Sequence, residues 1–293
     1  MNTRQRIAPI LAAALAMVVT LPAAPVRAQS ASSVLQKALD RYDQQMKGVD
    51  NYSLTLGSSM MPQTYTVYYE KKMVNGRPVF VTPGQSQDKA ASEWGNPYEV
   101  LPKIASRARV TGHETVDGHD TYVVKVDDLS GIDFGQEALG QAQDAKLEPK
   151  TMTLYLDSRA YLVRRMHLEG TITRDSASNP ITMDAHMLDY RNVKGLMQPF
   201  QTRITMEGLT GSLSKADREQ ARQSLAQLKE RLKSMPEAQR QAMEQMLGPQ
   251  MKKMQQMLDT GSMDMTIEVK DVKVNEGPPK GQGQGQGQGS GGS

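Results

Sequence analysis

Ile181-Thr182-Met183-Asp184-Ala185-His186-Met187 is apolar at every second residue. Successive side chains of an extended chain point to opposite faces, so Ile181, Met183, Ala185 and Met187 share one side and Thr182, Asp184 and His186 the other. The pattern spreads in both directions. Upstream, Met152, Leu154 and Leu156 alternate with Thr151, Thr153 and Tyr155. Downstream, Phe200, Thr202, Ile204 and Met206 repeat it, as do Met263, Met265, Ile267 and Val269. These segments predict one continuous apolar wall and one wet face, as in an antiparallel sheet covered on one side.

Turn residues join the segments. Asp117-Gly118 supplies the positive φ angles of a tight hairpin between 109–116 and 121–127. Asp157-Ser158-Arg159-Ala160 separates 151–156 from 161–173, and Asn75-Gly76 separates 64–72 from 78–81. With 52–56, 181–190, 200–206 and 263–274 the set comes to about ten strands. Repeated hairpins favour an antiparallel meander over a parallel sheet.

Helices frame the meander. Val34, Leu35, Ala38, Leu39, Tyr42 and Met46 recur at helical spacing over 32–47, stopped by Gly48. A short helix is expected from Pro97, with Asn96 as its cap. Residues 129–149 read as a polar, Gln- and Ala-rich loop with a turn or two of helix. Residues 214–259 read as a helical hairpin. Ser214 with Asp217, and Ser234 with Glu237, have capping-box spacing, and Gly248-Pro249 is expected to break the second helix.

The ends of the chain are read separately. Residues 1–28 resemble an export signal: Arg4 and Arg6, an apolar run, then Val26-Arg27-Ala28 for cleavage. That run falls short of the roughly 20 apolar residues of a confident membrane span. A cleaved signal implies a periplasmic protein, folded over 29–276. Residues 277–293, a Gly-Gln-Ser tail, cannot bury apolar surface and are expected to be disordered.

Composition removes several functions. The chain of 293 residues carries a net charge of +3, but Arg4, Arg6 and Arg27 lie in the leader, leaving the rest near neutral. Nucleic acid is therefore not an expected partner. With no cysteine there is no disulfide, thiolate metal site or cysteine nucleophile. His113, His119, His167 and His186 lack the helical pairing of a metal site, and His113 and His119 flank the Asp117-Gly118 turn. Asp127, Asp128 and Asp133 lack the spacing of a calcium loop, and Trp94 reads as a rim residue. No nucleophile elbow, phosphate loop or dinucleotide fingerprint occurs, so no enzyme activity and no cofactor are expected.

Twenty methionines against three Phe and one Trp are the remaining clue. Unbranched thioether side chains suit surfaces that repack around variable apolar ligands. The expected cavity is lined by Met152, Leu154, Leu156, Met183, Met187, Ile204, Met206, Met265 and Ile267. Met243, Met246, Met251 and Met254 of the helical hairpin form its lid.

The layout resembles the LolA-like outer-membrane lipoprotein-sorting superfamily. Thr153-Leu154-Tyr155-Leu156-Asp157 followed by Tyr161-Leu162-Val163-Arg164-Arg165-Met166 is similar to that family's hairpin. The stretch from Tyr190 through Asn192, Gly195 and Pro199 to Phe200 is similar to its next turn and strand, and residues 265–275 to its last strand. The family's basic-Pro-aromatic-Arg phrase is absent from Tyr68-Tyr69-Glu70-Lys71-Lys72-Met73. The resemblance implies an α+β fold: an antiparallel open half-barrel with an N-terminal helix and the helical hairpin over its concave face. It further implies a non-catalytic, monomeric carrier of lipid or lipoprotein acyl chains, meeting inner- and outer-membrane envelope proteins. The alternative is an envelope sensor of the same fold that binds a protein partner.

Overall fold

A computed structural model describes residues 29–74, 77–83, 97–132, 146–174 and 177–279. The export signal, Trp94, Asn96, Asp133, most of the Gln/Ala-rich insertion and the tail from 280 onward lie outside the described residues.

Helix α1 (Ala31–Met46) is followed by strands β1 (Asn51–Ser58), β2 (Met61–Val74) and β3 (Arg77–Val81). The chain then passes a 3-10 turn, Pro97–Glu99, and the single-turn helix α2 (Leu101–Ile104). Strands β4 (Ala108–Val116), β5 (His119–Val126), β6 (Lys146–Asp157), β7 (Val163–Arg174), β8 (Ala177–Val193) and β9 (Leu196–Glu207) follow as a meander. Helices α3 (Lys215–Ser234) and α4 (Glu237–Thr260) precede the closing strand β10 (Met263–Val274). All ten strands form one antiparallel sheet in the order β3-β2-β1-β10-β9-β8-β7-β6-β5-β4. Its edges, β3 and β4, do not pair with each other, so the barrel stays open.

Of the expected turns, Asp117-Gly118 and the one after β6 are described, whereas Asn75-Gly76 lies outside the described residues. Asp117 and Gly118 have φ of 49° and 81°, and Lys194 and Gly195 have 51° and 96°, the paired positive angles that match strand twist in a tight hairpin. In the turn after β6, Asp157 Oδ1 accepts from the backbone N–H groups of Arg159 and Ala160 at 3.0 and 2.8 Å.

Strand β6 starts earlier than its sequence suggests, at Lys146, inside the segment read as a loop. Pro149 offers no N–H to a ladder, but a register shift between Pro149 and Thr151 absorbs it. Gly170 lies opposite, where an added Cβ would sit 2.7 Å from the Glu148 carbonyl. The bulge and the glycine together let a proline lie within the sheet.

The helical hairpin departs from expectation in two places. Ser214 and Asp217 complete a reciprocal capping box, but Ser234 does not cap α4. Its hydroxyl donates to the Arg231 carbonyl, and Pro236 takes the cap position. Pro249 does not break α4, which runs through it. Pro249 is exposed, and its ring costs the helix one N–H donor.

Helix α1 fills one end of the sheet's apolar face. Val34, Leu35 and Ala38 are fully buried in a cluster with Leu101, Ile104, Val124, Leu154, Leu156 and Val163. Ser30 caps the helix, its hydroxyl accepting from the Ser33 N–H at 3.2 Å. The α3–α4 hairpin is tied down near its base. Arg174 meets Asp217 at 2.8 Å, and Lys253 donates to the Ser59 hydroxyl and carbonyl at 2.6 and 3.1 Å. Helix α4 packs chiefly on α3, β10 and the 3-10 turn Leu209–Ser212.

Candidate functional site: an apolar hollow beside the N-terminal helix

The ladder arranges the apolar wall in cross-strand rows. Met152, Leu168, Met183, Met206 and Met263 form one row. Leu154, Met166, Ala185, Ile204 and Met265 form the next. Met187, Thr202 and Ile267 begin a third. Such rows bring side chains of neighbouring strands within contact distance and make a smooth apolar floor.

Leu154 and Leu156 share a buried cluster with Val34, Leu35 and Ala38 of α1, whereas toward β7–β10 the floor borders open space. There the rows enclose a hollow of about 250 Å³. Met183, Met187, Ile204, Met206, Met265 and Ile267 all line it. Met152, Leu154 and Leu156 do not. They are at most 1% exposed and lie in the main buried cluster, which Met183 and Met187 share from its open side. No lid methionine lines the hollow either, and Met246 and Met254 are 50% and 45% exposed.

The hollow also takes residues that were not nominated. Ile181 and Ala185 share the parity of Met183, so the alternation that found one would have found all three. Met166 and Leu168 alternate with Arg165 and His167 in the same way. Leu147 had no such signal, because Pro149 hides the strand that carries it.

The wet face is built of charge. Asp184 Oδ2 lies 3.0 Å from His167 Nδ1, while Arg165 Nε donates to both carboxylate oxygens at 2.9 and 3.0 Å. Burial acts to raise the Asp184 carboxyl, but hydrogen bonds from Arg165 and His167 outweigh it and hold the group below the ordinary carboxylate range. His186 lies between Asp184 and Asp117. His119 faces Asp157 at 3.3 Å and His113 faces Asp120 at 3.5 Å.

Each histidine thus has an acidic neighbour that the linear sequence did not reveal, since the pairings depend on register or on the reach of turns. His113 and His119 sit at ladder positions of opposite parity, opposite Tyr122 and Val116, and do not converge. Asp127 pairs with Arg109 and Lys125, and Asp128 accepts from the Ser130 N–H. Among the described residues no group of three or more His, Asp or Glu is arranged to hold a metal ion. Among the same residues, no helix is long and apolar enough to cross a membrane.

An open antiparallel sheet with an N-terminal helix on its apolar side, and helices inserted before the last strand, is the layout that the resemblance to LolA-like proteins implied. No protein-family model and no curated protein matches the sequence. Among solved structures the chain is similar to a domain assigned as an outer membrane lipoprotein-sorting protein from Vibrio parahaemolyticus. The identity is 9% over 85% of this chain and 94% of that one, with a TM-score of 0.41. It is also similar to a DUF1329 family protein from Desulfovibrio piger, at 10% identity over 84% and 95% of the two chains and a TM-score of 0.37. A LolA superfamily protein from Nitrosomonas europaea is similar at 10% identity over 86% and 96%, with a TM-score of 0.34.

Proposed function

We propose that this protein is a periplasmic, non-catalytic carrier or binding protein for an apolar chain, either lipid or the acyl group of a lipoprotein. The observation that carries the reading is the uncovered apolar floor beside α1, walled by methionine and branched aliphatic side chains from β7 to β10. Burying apolar surface contributes roughly 25 cal/mol per Å², so one chain laid along these rows gains several kcal/mol without a polar contact. The hollow is slightly smaller than the roughly 300–1,000 Å³ of common small-molecule pockets. It therefore takes part of one chain as it stands and more if its methionines move, which unbranched thioethers do at low cost. The exposed Met246 and Met254 supply further apolar surface on α4 for an occupant that extends past the floor.

The test is titration of the purified protein with a fluorescent fatty acid, together with native mass spectrometry of protein taken from its own envelope. Saturable probe binding and co-purifying lipid are the expected results. No saturable binding, and a stoichiometric protein partner without lipid, would overturn the reading in favour of a sensor.

A further inference from the structure

Met246 and Met254, expected to cover the hollow, do not line it. Among the described residues the large apolar side chains left exposed are Tyr65, Met73, Met246 and Met254, so two of the four lie on α4. Met246, Gln250, Met254 and Met257 follow one another at steps of four, four and three, which places them on one side of the helix. The adjoining side, through Met243, Leu247, Met251 and Leu258, is half-buried or buried. An exposed apolar stripe beside a packed one marks a surface that meets something else.

The hairpin that carries the stripe is built as an arm. Leu225 and Leu232 of α3 are buried, Arg222 Nη2 donates to the Leu258 carbonyl at 3.3 Å, and Lys229 Nζ donates to Gln255 Oε1 at 3.1 Å. The two helices thus hold each other. The sheet holds them at the base, through Arg174–Asp217, Lys253–Ser59 and Gln256–Asp264. From Lys253 back to Glu237, where α4 begins, the helix runs about 24 Å.

Charge is divided unevenly between the arm and the rest. Residues 214–260 carry nine basic side chains against six acidic ones, whereas the remainder of 29–293 carries 23 against 26. Around the tip, Lys229, Arg231, Lys233 and Arg240 outnumber Glu230 and Glu237. No Phe, Trp or Tyr occurs in 214–260. Protein interfaces are anchored by rigid aromatic side chains seated in pockets. Flexible thioethers beside lysine and arginine suit a fluid partner, where buried apolar area and attraction to anionic headgroups add together.

We propose that the α3–α4 hairpin is a docking arm that lays the Met246–Met254 side of α4 on an anionic lipid surface. The contact is shallow and reversible: the methionines enter the boundary between headgroups and acyl chains, and the arm's cations meet the headgroups. It does not depend on the hollow taking a lipid.

Flotation of the purified protein with vesicles tests this, using phosphatidylglycerol mixed with phosphatidylcholine against phosphatidylcholine alone. Binding is expected to be at least about tenfold tighter to the anionic vesicles and to weaken by a similar factor as salt rises from about 0.05 to 0.5 M. Met246→Ser with Met254→Ser alters only exposed side chains, so it should weaken binding about tenfold while leaving the thermal midpoint in place. Arg231→Gln with Lys252→Gln is expected to do the same on anionic vesicles alone. Met206→Trp, which fills the hollow, should leave vesicle binding unchanged. All forms share the same termini, so the differences report on the arm. A protein that ignores both kinds of vesicle overturns the docking and leaves another protein as the arm's partner. Full binding by the methionine double variant, or loss of binding in Met206→Trp, overturns it as well. So does a dimer in sedimentation that the methionine double variant abolishes, which would make a second copy the occupant.

Discussion

The Arg164 guanidinium donates through Nη2 to Asp157 Oδ2 at 2.9 Å, and both residues are buried, at 8% and 6% exposure. They stand on either side of the turn between β6 and β7, where Asp157 also holds the Arg159 and Ala160 amides. The Tyr190 ring lies 5.0 Å from the guanidinium carbon of Arg164. This pair fixes the turn and needs both of its members. Removing one partner of a buried ion pair leaves the other charge uncompensated, at a cost of about 3–5 kcal/mol. Arg164→Met and Asp157→Ala are each expected to lose that much in urea unfolding, and the double variant less than their sum.

Acid should reveal the same carboxylate. Burial acts to raise Asp157, but the Ala160 and Arg159 amides and Arg164 together hold it below its ordinary value. Asp184 behaves likewise. A group with a lowered folded pKa contributes stability above its unfolded pKa, and that contribution is lost as pH falls through the folded value. Unfolding free energy is therefore expected to hold above about pH 4 and to decline below it. Asp184→Asn and Asp157→Asn should flatten the decline in a pH series of urea melts.

Filling the hollow separates binding from folding. Met206 lines it and is only half-buried, so Met206→Trp is expected to occupy ligand space at a stability cost toward the low end of the about 1–3 kcal/mol of overpacking. Fatty-acid probe affinity should fall tenfold or more while the thermal midpoint moves little. Unchanged affinity would move the binding site elsewhere.

Two glycines offer a backbone test. Gly48 and Gly208 both have positive φ, 87° and 85°, but a Cβ at Gly48 meets nothing whereas one at Gly208 would sit 2.1 Å from the Pro180 carbonyl. Gly48→Ala is expected to cost about 1–2 kcal/mol from conformation alone. Gly208→Ala should cost distinctly more, because a backbone atom of β8 must move. Paired denaturant melts give the comparison.

The sequence by itself determined which side chains share a face and where the chain turns back. Both are local properties: alternation has period two in any strand, and Asp117-Gly118 or Lys194-Gly195 needs only its own φ angles. It could not say which part of the apolar wall would be filled. Met152 and Met183 read identically in sequence and share one buried cluster with α1, yet only Met183 also lines the hollow. That difference depends on how distant elements pack over the sheet. The His186–Asp117 contact was hidden for a related reason, because the reach of a hairpin tip across three strands is set by long-range register and bending. Local text decides the faces, whereas tertiary packing decides which of them stay open.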